Sequence, residues 1–207
     1  MIDALDGVAA RAVPASEIRD IGGWLARRSP GLATKRVNSV LACGHPADSR
    51  LERKLSAVER FYSERGLPSR FQITPVSEPP ALRDQLLARG YVEETPTAVR
   101  TCDLAPLAGR PVTRGMVVEL TAAPSEAWWT TWRASLGVDR LRAEAAATLF
   151  DRISTDTAFA VVKLAGLAAG VGLGVPDGRW LGIFNTATPP DRRRQGVGRT
   201  ALSALAG

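Results

Sequence analysis

The strongest constraint on the fold comes from the stretch Pro190 to Leu202, which reads Pro-Asp-Arg-Arg-Arg-Gln-Gly-Val-Gly-Arg-Thr-Ala-Leu. An apolar, β-prone segment (181–188) precedes it, and helix-forming residues (200–205) follow, so the pattern predicts a strand, a basic turn and a helix. Glycine lets the backbone approach a ligand and tolerates positive φ. A helix N-terminus binds anions through its free N–H groups and its dipole. The stretch therefore predicts a site for a phosphate-bearing ligand.

The same residues carry a family resemblance. Arg193-x-x-Gly196-x-Gly198 resembles the signature of the GNAT superfamily of N-acetyltransferases, and the run from Thr186 to Gly198 resembles that family's acetyl-CoA-binding strand, turn and helix start. The resemblance implies that acetyl-CoA is the co-substrate, with its pantetheine arm on the strand backbone and its pyrophosphate on the turn amides. The binding residues implied in this way are Thr186, Ala187, Thr188, Arg193, Arg194, Gln195, Gly196, Val197 and Gly198.

The resemblance further implies transfer of an acetyl group to an amine of a small molecule or a protein. Such a reaction needs a positioned amine, a base for its proton and a donor to the carbonyl oxygen. The predicted cofactor strand has no carboxylate, and Asn185 stands where a polar group could face the acceptor. Glu119, Glu126 and Asp139 remain alternatives for the base, so the catalytic residues are not assigned.

The second half of the chain predicts an α/β fold with a mixed sheet. Its elements are a strand at 116–120, helices from 124 and over 141–153, strands at 157–164, 167–175 and 180–187, and the signature helix. This is the opening order of a GNAT domain, so the resemblance implies that fold for residues 116–207.

The first half resembles a GNAT-like module more loosely, by the order of its elements alone. The pattern predicts a strand at 36–42, a helix at 50–65 capped by Asp48 or Ser49, a strand at 69–74, a helix at 81–89 and one or two strands at 91–104. The first strand–helix turn lacks Arg-x-x-Gly-x-Gly. We therefore expect a degenerate module over 1–105, a linker over 106–115 and the cofactor-binding portion over 116–207.

The signature helix reaches Gly207, whereas the resemblance implies further strands and a helix that carries a proton-donating tyrosine. Three explanations are open: a shortened form of a longer enzyme, completion of the sheet by the first half in permuted order, or completion by a partner chain. We expect the first. The alternative function is accordingly a weak or inactive acyl-CoA-binding module.

Composition favours an ordinary globular protein without membrane or nucleic-acid partners. The chain is 45% apolar and 23% charged with a net charge of +6, and it shows neither a signal peptide nor an apolar run of membrane-spanning length. The arginines are scattered outside the cluster at 192–199, which the phosphate site explains. We expect a cytoplasmic protein, and an open sheet edge would allow a homo-oligomer.

The remaining candidate residues have structural interpretations. Two cysteines, Cys43 and Cys102, cannot form a zinc site by themselves, and we expect them to be small core residues. No metal site is expected. His45 is interpreted as a loop residue. The tryptophans at 128, 129 and 132 are interpreted as helix core, the alternative being that one of them lines the acceptor pocket.

Overall fold

The computed structural model describes residues 2–43 and 51–207, and it divides into two compact units, Met1–Val99 and Arg100–Gly207. The first unit contains α1 (Ile2–Ala12), β1 (Glu17–Ile21), β2 (Trp24–Arg28), β3 (Val40–Leu41), α2 (Leu51–Ser63), β4 (Phe71–Gln72) and α3 (Leu82–Ala88). Its four strands lie in the order β1-β2-β3-β4, with β4 parallel to β3 and the other pairs antiparallel.

The core of the first unit forms where one face of α2 meets the sheet. Leu55, Val58 and Tyr62 recur at helical spacing and are fully buried together with Trp24 of β2. The helix predicted at 50–65 is therefore confirmed over Leu51–Ser63, and its apolar face packs on the sheet. Tyr62 also ties α2 to β2, since its hydroxyl donates to the Arg27 carbonyl oxygen (2.8 Å).

The second unit contains α4 (Ala105–Ala108), β5 (Met116–Thr121), α5 (Glu126–Leu136), α6 (Arg140–Phe150), β6 (Ala158–Leu164), β7 (Leu167–Asp177), β8 (Trp180–Ala187) and α7 (Val197–Ala206). The four strands form an antiparallel meander in the order β5-β6-β7-β8. The elements predicted for this half are confirmed.

Capping residues determine where the two helices that follow β5 begin and where the first of them ends. The Ser125 hydroxyl accepts the Trp128 N–H (3.2 Å) at the start of α5, and Gly137 ends that helix in the left-handed conformation with φ 64°. The Asp139 carboxylate accepts the Arg142 N–H (2.8 Å) and begins α6. Each helix therefore starts at a side chain that satisfies one of its free N–H groups.

Helices cover both faces of the second sheet. In β6 the Phe159 ring contacts Trp128 of α5, whereas Val162 packs with Val197 and Ala201 of α7. Because odd and even residues of a strand point to opposite faces, α5 and α7 lie on opposite sides. α7 also contacts the segment before β5, since the Ser203 hydroxyl donates to the Leu107 carbonyl oxygen (2.7 Å).

The structure corrects several expectations. Residues 91–104 form no strand: most are exposed, and alternation alone stabilises nothing without a neighbouring strand to pair with. The strands predicted at 36–42 and 69–74 shrink to two residues each. Cys102 is exposed rather than a core residue, and Cys43 is half-buried. His45, Asp48 and Ser49 lie outside the described residues.

The permuted arrangement is also wrong for the part of the chain that the structure describes. β4 pairs with β3 and β8 pairs with β7, in two separate sheets. Residues 105–108, at the start of the expected linker, form α4. The domain boundaries themselves stay a prediction. No described helix combines the length and the apolar character of a membrane span.

Candidate functional site

A bulge interrupts β8 just before the basic turn. Val171 of β7 pairs with Ala187 and Leu173 pairs with Phe184, so the single residue between them on β7 faces two residues of β8, Asn185 and Thr186. Asn185 has φ 50°, a conformation that a non-glycine residue adopts at some energetic cost. An extra residue bends a strand and breaks the regular ladder. β8 is also an outer strand of the described sheet, and no described strand pairs with its second edge. An unpaired edge of this kind can be extended by a ligand that lies alongside it.

The end of β8 and the start of α7 converge over Gly170 of β7. A Cβ atom at Gly170 would lie 2.4 Å from Val197 Cγ1, 3.1 Å from the Ala187 carbonyl oxygen and 3.2 Å from the Thr188 hydroxyl oxygen. Such contacts are shorter than side chains tolerate, so a glycine is required here. The end of β8 and the start of α7 can therefore pack closely on β7 because residue 170 has no side chain.

Gly172 and Gly174 lie on the same face of β7 as Gly170. At both positions a Cβ atom would lie 3.1 Å from a methyl group of Leu205 on α7. Sequence reasoning missed these residues, although the alternation Gly170-Val-Gly-Leu-Gly was visible. Alternate glycines in a strand indicate close approach of another backbone element to one face, which is the signal that could have found them.

The turn between β8 and α7 is closed by its own side chains. Residues Pro190–Arg192 form a single 3-10 turn. The Arg193 Nε donates to the Thr188 carbonyl oxygen (3.2 Å), and the Gln195 side-chain amide donates to the Asp191 carbonyl oxygen (3.0 Å). Two predicted binding residues, Arg193 and Gln195, thus help to shape the turn in addition to any contact with a ligand.

The first turn of α7 is left open to an external acceptor. Gly196 is the N-cap with φ 88°, no described side chain caps the helix, and no acidic residue stands in its first turn. The first N–H groups of a helix have no acceptor within the helix. A Cβ atom at Gly198 would meet no described atom within 4 Å apart from its chain neighbours and the backbone of its own helix, whereas Val197 beside it is buried. The protein's own packing therefore does not need a glycine at 198, and its absent side chain leaves free space beside these N–H groups.

Positive charge gathers around the same helix start. Arg193, Arg194 and Arg199 are exposed, and none of them forms an ion pair with a described residue; Arg192 is paired with Asp191 (3.1 Å). The Arg199 guanidinium lies 3.4 Å from where a Cβ atom of Gly196 would be, which adds Arg199 to the predicted set. Cations at the positive end of a helix dipole repel it, so an anion bound here would relieve that repulsion.

The three candidate bases differ in their partners. Glu119 forms an ion pair with Lys163 (2.5 Å), and Asp139 caps α6. Glu126 lies exposed in the first turn of α5, where its negative charge suits the helix dipole, and its carboxylate contacts no described polar group. The structure thus gives structural roles to Glu119 and Asp139.

The helix tryptophans form an aromatic cluster in the core. Trp128 and Trp132 are buried, which confirms their interpretation as core residues, and Trp129 stacks on Phe150 at 5.4 Å. The Trp128 indole N–H donates to the Gly172 carbonyl oxygen (3.1 Å), whereas the buried Trp132 indole nitrogen has no partner. No group of residues that could hold a metal ion occurs in the ranges 2–43 and 51–207.

Comparisons with known proteins identify a family and a fold for this chain. The family model Rv0428c_C, described as "Probable histone acetyltransferase Rv0428c C-terminal", matches residues 1–207. A GCN5-related N-acetyltransferase from Kribbella flavida has a similar structure, with a TM-score of 0.68 and 10% identity over 98% of this chain and 78% of that one. A functionally unknown conserved protein from Staphylococcus epidermidis ATCC 12228 matches with a TM-score of 0.57 and 12% identity over 94% of this chain and 79% of that one.

No curated protein matches the chain. At these identities the two solved structures show the fold, which is that of a GNAT acetyltransferase. The family model covers the whole sequence, including the turn and helix start described above. The chain therefore belongs to the Rv0428c_C family of GNAT-superfamily acetyltransferases.

Proposed function

We propose that this chain binds acetyl-CoA between β8 and the N-terminus of α7 and transfers the acetyl group to an amine. The observation that carries the proposal is the open helix start: Gly196 leaves α7 uncapped, and Gly198 leaves free space beside its N–H groups. A pyrophosphate is the part of acetyl-CoA that such a site accepts, because backbone N–H groups and the helix dipole both favour a bound anion.

The contacts can be assigned along the ligand. The backbone N–H groups from Arg194 to Gly198 would hold the pyrophosphate, and the exposed guanidinium groups of Arg194 and Arg199 would add charge-assisted hydrogen bonds. The Thr188 carbonyl oxygen already accepts from Arg193. We therefore assign the pantetheine contact chiefly to the backbone of Thr186 and Ala187, at the open edge of β8.

Acetyl-CoA would supply an acyl group activated as a thioester. In the transfer, the amine nitrogen forms a bond to the acyl carbon as the carbon–sulfur bond breaks; the amine proton passes to a base, and the thiolate takes up a proton. The protein would hold acetyl-CoA against β8 and orient the amine. Positioning the two reactants in this way accounts for much of the rate acceleration by enzymes. Glu126 is the base candidate without another described partner.

The acceptor proposed first is a lysine amine of a protein. The support is the family description, which names a histone acetyltransferase. Small primary amines are the second class to be tested. The net charge of +6 would repel a basic protein, so we expect transfer to such a protein to depend on ionic strength.

The test has two measurements. Thermal unfolding with and without CoA reports binding, since a ligand at a hundred times its Kd stabilises by about 2.7 kcal/mol. Release of the CoA thiol from acetyl-CoA, measured with histone peptides and with a panel of small amines, reports transfer. We expect both. Binding without thiol release would favour the acyl-CoA-binding module instead, and no stabilisation by millimolar CoA would contradict the proposal.

A further inference from the structure

The hydrogen bond between Trp128 and Gly172 lies at a particular point of the sheet. Gly172 is the residue of β7 that faces the bulge of β8, since its neighbours Val171 and Leu173 pair with Ala187 and Phe184. The Trp128 indole N–H donates to the carbonyl oxygen of this residue over 3.1 Å, and the bond is buried. A helix on one face of the sheet is thereby tied to the peptide opposite the irregular part of β8.

The aromatic cluster holds the Trp128 ring in place. Trp128 is fully buried. It stacks on Trp132 at 5.7 Å with an angle of 20° between the rings, and it meets the edges of Phe150 and Phe159 at 5.7 and 5.4 Å. A ring packed on several sides cannot turn away without opening a cavity. The indole N–H is therefore a rigid donor.

The bulge needs such support. Asn185 holds φ 50°, and strained conformations of this kind persist only where their surroundings enforce them. On the other face of the sheet, the Thr186 methyl group lies 3.4 Å from where a Cβ atom of Gly172 would be, so the peptide at Gly172 is in close contact with the bulge. Fixing that peptide from the α5 side restricts how the bulge can move.

We propose that Trp128 is a positioning residue: through the Gly172 carbonyl it holds the bulge of β8 in the shape that presents the β8 backbone to acyl-CoA. The inference rests on the proposed function for its ligand. The claim that the indole N–H restrains the bulge can be tested without any ligand.

The chain offers a matched control on the same helix. Trp132 is stacked on Trp128 and is 7% exposed, and its buried indole nitrogen has no hydrogen-bond partner. Trp128→Phe and Trp132→Phe therefore remove the same atoms from neighbouring sites, but only the first removes a hydrogen bond. Both variants lose packing because phenylalanine is smaller than tryptophan. The difference between their effects therefore measures the contribution of the hydrogen bond from Trp128 to Gly172.

The experiment combines amide hydrogen exchange with CoA binding by calorimetry. For Trp128→Phe we expect exchange of the amides of 184–187 to become about tenfold faster, and CoA affinity to fall about tenfold, as loss of one buried hydrogen bond predicts. Amides of β5 serve as an internal control and should be unchanged. Trp132→Phe removes ring atoms but no hydrogen bond, so exchange at 184–187 and CoA affinity should change much less in this variant than in Trp128→Phe.

Two results would overturn the proposal. Equal effects of the two substitutions would reduce Trp128 to a packing residue, and equal acceleration in β5 and at the bulge would mean general destabilisation. If the wild type fails to bind CoA, the proposed function is wrong. Faster amide exchange at 184–187 in Trp128→Phe would still show that Trp128 restrains the bulge.

Should Trp128→Phe fail to fold, the wild type supplies the test through its indole N–H signals. Coupling between two events is reciprocal. CoA should therefore slow exchange of the Trp128 indole proton by about tenfold and leave that of Trp132 unchanged. No change at Trp128 with CoA bound would refute the coupling.

Discussion

The substitution Gly198→Ala at the proposed pyrophosphate site should weaken ligand binding without lowering the stability of the protein. The added methyl group would enter the free space beside the first N–H groups of α7, because no described atom outside its chain neighbours and the backbone of its own helix lies within 4 Å of the ideal Cβ position. Gly198 is also absent from the residues with positive φ, so alanine fits its backbone. The protein itself therefore tolerates the change, and only a bound ligand would meet the methyl group.

The two effects have opposite signs. Alanine is favoured over glycine in a helix by up to about 1 kcal/mol, and for a chain of this length that is a rise of no more than about 4 °C in Tm. Displacing a phosphate from one backbone N–H removes a hydrogen bond to a charged group, worth about 1.5–3 kcal/mol. We therefore expect CoA to bind about 10- to 100-fold more weakly to a protein that is equally or more stable.

Calorimetric titration with CoA and thermal unfolding without ligand measure the two effects separately. Gly109→Ala is the matched control, because a Cβ atom there makes an ordinary 3.5 Å contact with the Ala105 carbonyl oxygen in α4 and not in the turn. Unchanged CoA affinity in Gly198→Ala would refute the placement of the pyrophosphate. A weaker affinity accompanied by a lower Tm would refute the claim that the space is free.

Three further predictions concern the packing and capping within each unit. Gly170→Ala should lower the free energy of unfolding by about 1–3 kcal/mol in chemical denaturation, since its Cβ would lie 2.4 Å from Val197 Cγ1, and Val197→Ala should restore part of the loss. Ser125→Ala removes the N-cap of α5 and should cost about 1 kcal/mol in the same assay; no loss would contradict the cap. Burial raises the pKa of Tyr62 to about 12, above its ordinary 10. The folded state therefore holds that proton more tightly, stability should fall as pH rises from about 10 to about 12, and Tyr62→Phe should flatten this decline.

The basic turn shows what local sequence can predict about the site. Gly196 and Gly198, the arginines between 192 and 199, and the flanking strand and helix all lie within one short stretch, so their order alone predicts an anion-binding helix start. The caps at Ser125 and Gly137 are of the same kind, because each depends on contacts with residues a few positions away. Sequence alone could not say that Arg193 and Gln195 would be used to close the turn.

Residues 91–104 show the limit of such reasoning. Their alternation of apolar and polar residues predicted strands, but a strand needs a neighbour to accept its backbone hydrogen bonds, and no described strand pairs with this segment. The sequence placed Arg199 in the basic cluster, but only the structure shows that its guanidinium approaches Gly196.

By itself, the sequence determined the basic turn, the caps and most elements of the second unit, because these depend on interactions between near neighbours in the chain. Tertiary structure alone decided the bulge at Asn185, the requirement for glycine at 170 and the bond from Trp128 to Gly172. Each of these joins residues brought together only by strand pairing or by packing of a helix on the sheet. The basic turn can thus be read from one stretch of sequence, whereas the shape of the strand that leads into it depends on a tryptophan in a distant helix.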